Sequence, residues 1–195
     1  MTNLLKAIIN IIENPIYNLK DYAKFHNRVN NMGEALEEYI KDAFAETIGE
    51  DNNEIRKEKI KKCFSYFGNQ NNPPDCIIAN GDAIEVKKTE NTTSDLALNS
   101  SYPKAKLYTN SPMISKECRE CEKWTEKDIL YACGVCKDKK LSLLSFVYGI
   151  NYAAKIEKII KINSKSFILD ISDIEIKNPD NPAKYKNAKL IKFAI

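Results

Sequence analysis

The stretch NPPDCIIANGDAIEVKK, residues 72–88, constrains the fold of this 195-residue chain more than any other. Two apolar runs, 76–79 and 83–86, flank an Asn-Gly pair that favours a tight hairpin turn. Such a hairpin is built for burial, yet Asp75 stands at the mouth of the first run, and Glu85 and Lys87 interrupt the second. Residues two apart on a strand share a face, so Glu85 and Lys87 point one way and Val86 the other. With a strict two-residue turn at Asn80-Gly81, Asp75 falls opposite Val86 and points away from both. A three-residue turn, or a bulge near Asp75, shifts the register by one and brings all three together. A site built on this trio therefore requires such an irregularity.

The trio has a clear chemical use. A hard cation such as Mg²⁺ takes oxygen ligands, usually one or two carboxylates with water and phosphate completing the shell. A neighbouring lysine can orient or, as the neutral amine, deprotonate the attacking water, or as the ammonium neutralise charge in a phosphoryl transition state. Asp75, Glu85 and Lys87 thus form a toolkit for metal-assisted phosphodiester hydrolysis. The bland alternative is a salt-bridged hairpin edge with solvated charges.

Around the hairpin the chain reads as one α/β or α+β domain spanning 1–195. Helical segments fill 1–67, and the hairpin and remaining core fill 68–195. Thr2 can cap a first helix running to about Glu13, and a second helix covers about 31–48. A third covers about 54–66, and GNQNNPP (68–74) breaks the chain before the hairpin. Residues 89–116 read as a polar loop with at most a short helix. Two strands follow, in 128–135 and 141–154, then another in 164–176 and a last short element. The formal net charge of +3 neither demands nor excludes a polyanionic partner. The apolar opening, MTNLLKAIINIIENP, is too short to span a bilayer and lacks a signal-peptide cleavage site, so the expectation is a cytoplasmic protein without membrane association.

The spacing of PPD and EVKK resembles the PD-(D/E)XK nuclease core. More narrowly, NPPDCIIANGDAIEVKKTE with SDLALNSSYPKAKLYTNSPMI resembles the NgoPII type of type II restriction endonuclease. The likeness continues through CEKWTEKDILYACG and FVYGINYAA. The resemblance implies a restriction-endonuclease-like core, a mixed central sheet flanked by helices. It assigns Asp75 and Glu85 to divalent metal, Mg²⁺, and Lys87 to the water. It also implies a prokaryotic homodimer that cuts double-stranded DNA at a short palindrome, GGCC in the NgoPII case. A cognate DNA methyltransferase would act on the same site without needing to bind the enzyme. Nucleases of this superfamily often add a glutamate from a preceding helix in a G-x-x-L-E setting, which GEALEEYIKDAF supplies. On a helical wheel of about 100° per residue, Glu37 falls at the edge of the apolar stripe, whereas Glu34 and Glu38 lie beyond it. Glu37 is therefore the third metal candidate, a flanking surface acid being the alternative.

The polar loop after the hairpin carries groups that bond phosphate oxygens and read base edges. Asn99, Ser100, Ser101, Tyr102, Lys104 and Lys106, with Lys88, are the candidate DNA contacts, against an ordinary surface loop. Cys118, Cys121, Cys133 and Cys136 form two CxxC pairs whose spacing suits a structural Zn²⁺ in a small knuckle over 116–138. Against this, Cys133 sits in a strand-like run where cysteine is often a small apolar residue. The lone histidine, His26, argues against histidine-based hydrolysis. A non-catalytic zinc-ribbon nucleic-acid-binding protein, and a nuclease of this core acting on branched or damaged DNA, remain as rival readings.

Overall fold

The computed structural model describes residues 2–19, 22, 32–69, 71–92, 95–96, 104–153, 167–169, 174–176 and 188–189. In chain order the elements are helices α1 (Leu4–Glu13), α2 (Met32–Ala45) and α3 (Asn53–Cys63), then strands β1 (Phe64–Asn69), β2 (Asn72–Ile78), β3 (Ala83–Thr89), β4 (Asp95–Leu96) and β5 (Lys106–Tyr108). The short helix α4 (Lys116–Glu120) precedes the long strands β6 (Glu126–Lys137) and β7 (Lys140–Tyr148). After them come α5 (Gly149–Tyr152), β8 (Phe167–Leu169), β9 (Ile174–Ile176) and β10 (Ala188–Lys189). Two small antiparallel pairs, β4 with β10 and β8 with β9, lie outside the main sheet.

That sheet has six strands in the order β1-β2-β3-β6, with the far edge of β6 shared between β5 and β7. β3 and β6 run parallel over Ala83–Thr89 and Ile129–Val135, and every other neighbouring pair is antiparallel. β6 is buried from Ile129 to Cys136, which explains its near-continuous apolar run. The turn from β6 to β7 uses Asp138 and Lys139, both at positive φ (50° and 70°), as a two-residue loop with primed geometry requires.

Alternation along the strands separates two cores. One face carries Cys76, Ile78, Ile84, Leu130, Ala132 and Cys136, covered by Leu36, Tyr39, Ile40, Ala43 and Phe44 of α2 and, behind them, by α1. The opposite face carries Ile77, Ala83, Ile129, Tyr131 and Cys133, covered by Leu107, Ile114, Cys118 and Trp124. Helix α3 has little apolar surface of its own. Its anchor is Arg56, 4% exposed, which reaches down to α2. Among the described residues, no helix is long and apolar enough to cross a membrane.

Several expectations need correction. Asn3, not Thr2, caps α1, its side chain accepting from the Lys6 amide at 3.0 Å. The third helix stops at Cys63, and the chain enters β1 directly. The GNQNNPP segment is not a plain break. Asn69 turns the chain by accepting from the amides of Asn71 and Asn72, both at 2.9 Å, and both prolines belong to β2. β4 and β5 lie within the expected loop. The zinc knuckle over 116–138 is not formed. Cys133 and Cys136 are three apart on a strand, so they face opposite sides of the sheet, Cys133 with Cys118 and Cys121 and Cys136 with the α2 core. Among the described residues no cluster of three or more His, Cys, Asp or Glu is placed to hold a metal ion.

Candidate functional site

The hairpin turn contains three residues. Cys76 pairs with Ile84 and Ile77 with Ala83, the Ile78 amide donates to the Asp82 carbonyl at 3.0 Å, and Ala79, Asn80 and Gly81 form the loop. Asn80 takes the left-handed conformation, φ 56°, which Asn tolerates better than most residues. The register is thereby one residue away from that of an Asn-Gly two-residue turn. Asp75 comes next in line opposite Glu85, and both lie on the face of Ile77 and Ala83.

Three side chains clamp the turn. Lys127, 8% exposed, donates to the Gly81 carbonyl at 2.7 Å and forms an ion pair with Glu122. Glu122 accepts from the Asn80 amide at 2.9 Å. Tyr148 donates to the Asp82 carboxylate at 2.9 Å. Burial opposes the charge of Glu122, but the Asn80 N–H and Lys127 outweigh it and hold the carboxyl below its ordinary range.

At the other end of the hairpin the ladder stops at Cys76. Instead of a backbone partner, the Val86 N–H meets the Asp75 carboxylate at 2.6 Å. Gly68 on β1 permits the close approach there, since a Cβ would stand 2.2 Å from the Pro74 carbonyl oxygen. Glu85 is 4% exposed, and its Oε1 lies 2.7 Å from the Lys87 ammonium. Burial, then the nearby carboxylates of Glu85 and Glu37, push the Asp75 carboxyl up to about 8, against the Val86 N–H and Lys87. Asp75 thus sits in the field of two further carboxylates.

From α2, Glu37 raises the Asp75 carboxyl and the Cys76 thiol. Its carboxylate is held by Lys41 at 2.6 Å, one turn on in α2. Glu38, on the far side of the stripe, accepts from Arg56 at 2.8 Å and belongs to a different network. There Asp42, fully buried, accepts from Arg56 Nε at 2.7 Å and from its Nη2 at 2.9 Å, and from the hydroxyls of Tyr22 and Thr47.

The candidate DNA contacts scatter. Lys88 lies on the α2 side of β3, opposite Glu85 and Lys87, with Glu90 at 3.6 Å. Lys106 on β5 pairs with Glu126 at 2.6 Å and Asp128 at 3.5 Å. Lys104 lies on the face of Glu85, its backbone amide donating to the Tyr131 hydroxyl at 2.7 Å. Asn99, Ser100, Ser101 and Tyr102, and also His26, fall outside the described residues. Sequence reasoning missed Tyr131, Glu122 and Lys127. Their roles arise from contacts across the fold, and the one available signal was the Tyr131 hydroxyl in an otherwise apolar run, ILYACGV.

A family model described as NgoPII restriction endonuclease matches residues 2–190. A curated relative, the type II restriction enzyme NgoPII of Neisseria gonorrhoeae, is 48% identical over 164 residues, covering 84% of this chain and 59% of the relative. The chain spans about three fifths of that relative's length. No solved structure matches significantly.

Proposed function

Since the chain belongs to the NgoPII restriction endonuclease family, we propose that it is a Mg²⁺-dependent, site-specific endonuclease cutting both strands of DNA at a short palindrome. GGCC is the first sequence to test. The observation that carries this reading is that Asp75, Glu85 and Lys87 share one face at the splayed end of the hairpin, in a mixed central sheet flanked by helices.

The donor set fits the ion. Asp75 and Glu85 offer hard carboxylate oxygens, and the raised Asp75 carboxyl marks a like-charge crowding that a divalent cation would relieve. With two carboxylates, and Glu37 as a third from α2, the remaining coordination falls to water and phosphate oxygens, as is usual for Mg²⁺. When bound, the cation polarises the phosphate and lowers the pKa of a coordinated water. Asp75 and Glu85 would fix where the phosphate is held, and the Lys87 ammonium, paired with Glu85, would orient the incoming water, whose proton passes to bulk solvent. The water oxygen bonds to phosphorus, the P–O bond to one deoxyribose breaks, and the departing oxygen gains a proton.

A palindrome is read by two copies related by a twofold axis, so a homodimer with one site per strand is the matching assembly. In the cell, a methyltransferase acting on the same sequence would protect host DNA, with both enzymes in the cytoplasm. The test is a digest of unmethylated plasmid with Mg²⁺, with EDTA, and with Lys87→Ala. Discrete fragments sharing one end sequence, lost with EDTA and in the variant, support the reading. Binding without cutting, or cleavage confined to branched or damaged DNA, overturns it.

A further inference from the structure

We propose that Lys104, anchored on the Glu85 face of the sheet, is a second phosphate-contacting ammonium of the site, meeting the anionic oxygens of the scissile phosphodiester. This rests on the endonuclease reading above. Two contacts fix the backbone of Lys104. Its amide donates to the Tyr131 hydroxyl at 2.7 Å, and Tyr131, 2% exposed, is the β6 residue registered against Glu85, so both side chains leave the sheet on one face. Behind the segment stands Gly149, where a Cβ would lie 2.0 Å from the Lys104 carbonyl oxygen and 2.9 Å from that of Ala105. Any larger residue there would displace residues 104–105 from the sheet.

The side chain is placed as carefully as its backbone. The ammonium lies 3.3 Å from the Ser111 hydroxyl in a half-buried position. Burial lowers its pKa while the Glu85 carboxylate pulls the other way, so the two groups share one field. A lysine that merely adds salt-sensitive affinity for the DNA backbone needs no such anchoring and gains from full exposure. A preorganised cation in a partly desolvated site acts instead on charge that develops in the transition state. Lys87 is closely paired with Glu85, 2.7 Å away, so a second cation on the same face complements rather than duplicates it.

The test separates chemistry from binding. Single-turnover cleavage at saturating DNA is measured with Mg²⁺ for wild type, Lys104→Met, Lys104→Arg, Tyr131→Phe and the remote control Lys62→Ala. DNA affinity is measured by fluorescence anisotropy with Ca²⁺. Lys104→Met is expected to slow the single-turnover rate about 100-fold while affinity changes only about threefold. Lys104→Arg should recover much of the rate. Tyr131→Phe, which keeps the ammonium but loosens its anchor, should fall between, and Lys62→Ala should match wild type. If Lys104→Met cuts at the wild-type rate, or loses affinity alone, the proposal is wrong. If Lys104→Met fails to fold, Lys104→Gln takes its place, and a wild-type rate in that variant overturns the proposal. Wild-type protein that leaves DNA intact sinks the endonuclease reading itself, a result distinct from a normal rate in the Lys104 variants.

Discussion

Two charge clusters, one where α2 meets α3 and one at the open end of the β2–β3 hairpin, are balanced differently. Asp42 is fully buried but accepts from both Arg56 nitrogens and from two hydroxyls, so its carboxylate is matched. Asp75 is crowded by Glu85 and Glu37, with the Val86 N–H and Lys87 as the opposing groups, and its carboxyl is pushed up to about 8. The first cluster fastens α3 to α2. The second stores unrelieved like-charge repulsion at the open end of a hairpin, where the backbone ladder has ended. Burial alone does not distinguish a structural ion network from a reactive one. The mismatch between burial and compensation does.

The sharpest break in this comparison comes from removing charge at each cluster. Lys87→Ala or Asp75→Asn should reduce DNA cleavage about a thousandfold or more in a single-turnover assay, with the fold intact by circular dichroism. Asp42→Ala should do the reverse. It strands the Arg56 guanidinium and is expected to cost about 3–5 kcal/mol in urea unfolding, while the molecules that remain folded cut at the normal rate.

A pH series sharpens the contrast further. The Asp75 carboxyl is raised from 3.8 to about 8 in the folded protein, so the folded state binds the extra proton between those values. The contribution of this group to stability is therefore complete below 3.8 and is lost as pH rises through about 8. Asp75→Asn should flatten that part of the profile, measured as the urea midpoint against pH. Thr47→Ala, which removes a hydroxyl from the balanced cluster alone, should lower the midpoint and leave the Asp75-dependent slope in place.

A smaller effect is expected at the opposite end of the hairpin. Lys127→Met with Glu122→Gln removes two clamps on the three-residue turn and should slow cleavage about tenfold by loosening the register, with Lys127→Arg retaining more activity than Lys127→Met. The smallest change is expected at Lys106, already paired with Glu126 and Asp128. If Lys106 also touches phosphate, Lys106→Ala lowers the salt slope of DNA binding by about one, and a flat result removes it from the interface.

Much of the candidate hairpin site was legible in the sequence because strand arithmetic is strict. Period-two alternation puts Glu85 and Lys87 on one face, and only a register shift can add Asp75. The wheel position of Glu37 was legible for the same reason. β1 was not, since α3 runs into Phe64 without glycine or proline, and an irregular register between Phe64 and Tyr66 blurs the alternation. The CxxC spacing misled because its ligand geometry assumes a loop, whereas a strand sends Cys133 and Cys136 to opposite faces. Arg56 and Asp42 looked like ordinary surface charges, and nothing local indicates that they bury together. Lys104 was visible as a cation, but its position on the Glu85 face depends on Tyr131 and Gly149, which are remote in the chain.

The division of the cysteines between two cores has a chemical consequence. Burial raises the thiols of Cys63 and Cys118 to about 12 and that of Cys133 to about 11, and pushes Cys76 well above its ordinary value. Little nucleophilic sulfur is therefore on offer at neutral pH from these four. Those four thiols should resist alkylating reagents in the folded protein, with maleimide uptake at those positions becoming appreciable only once denaturant is added.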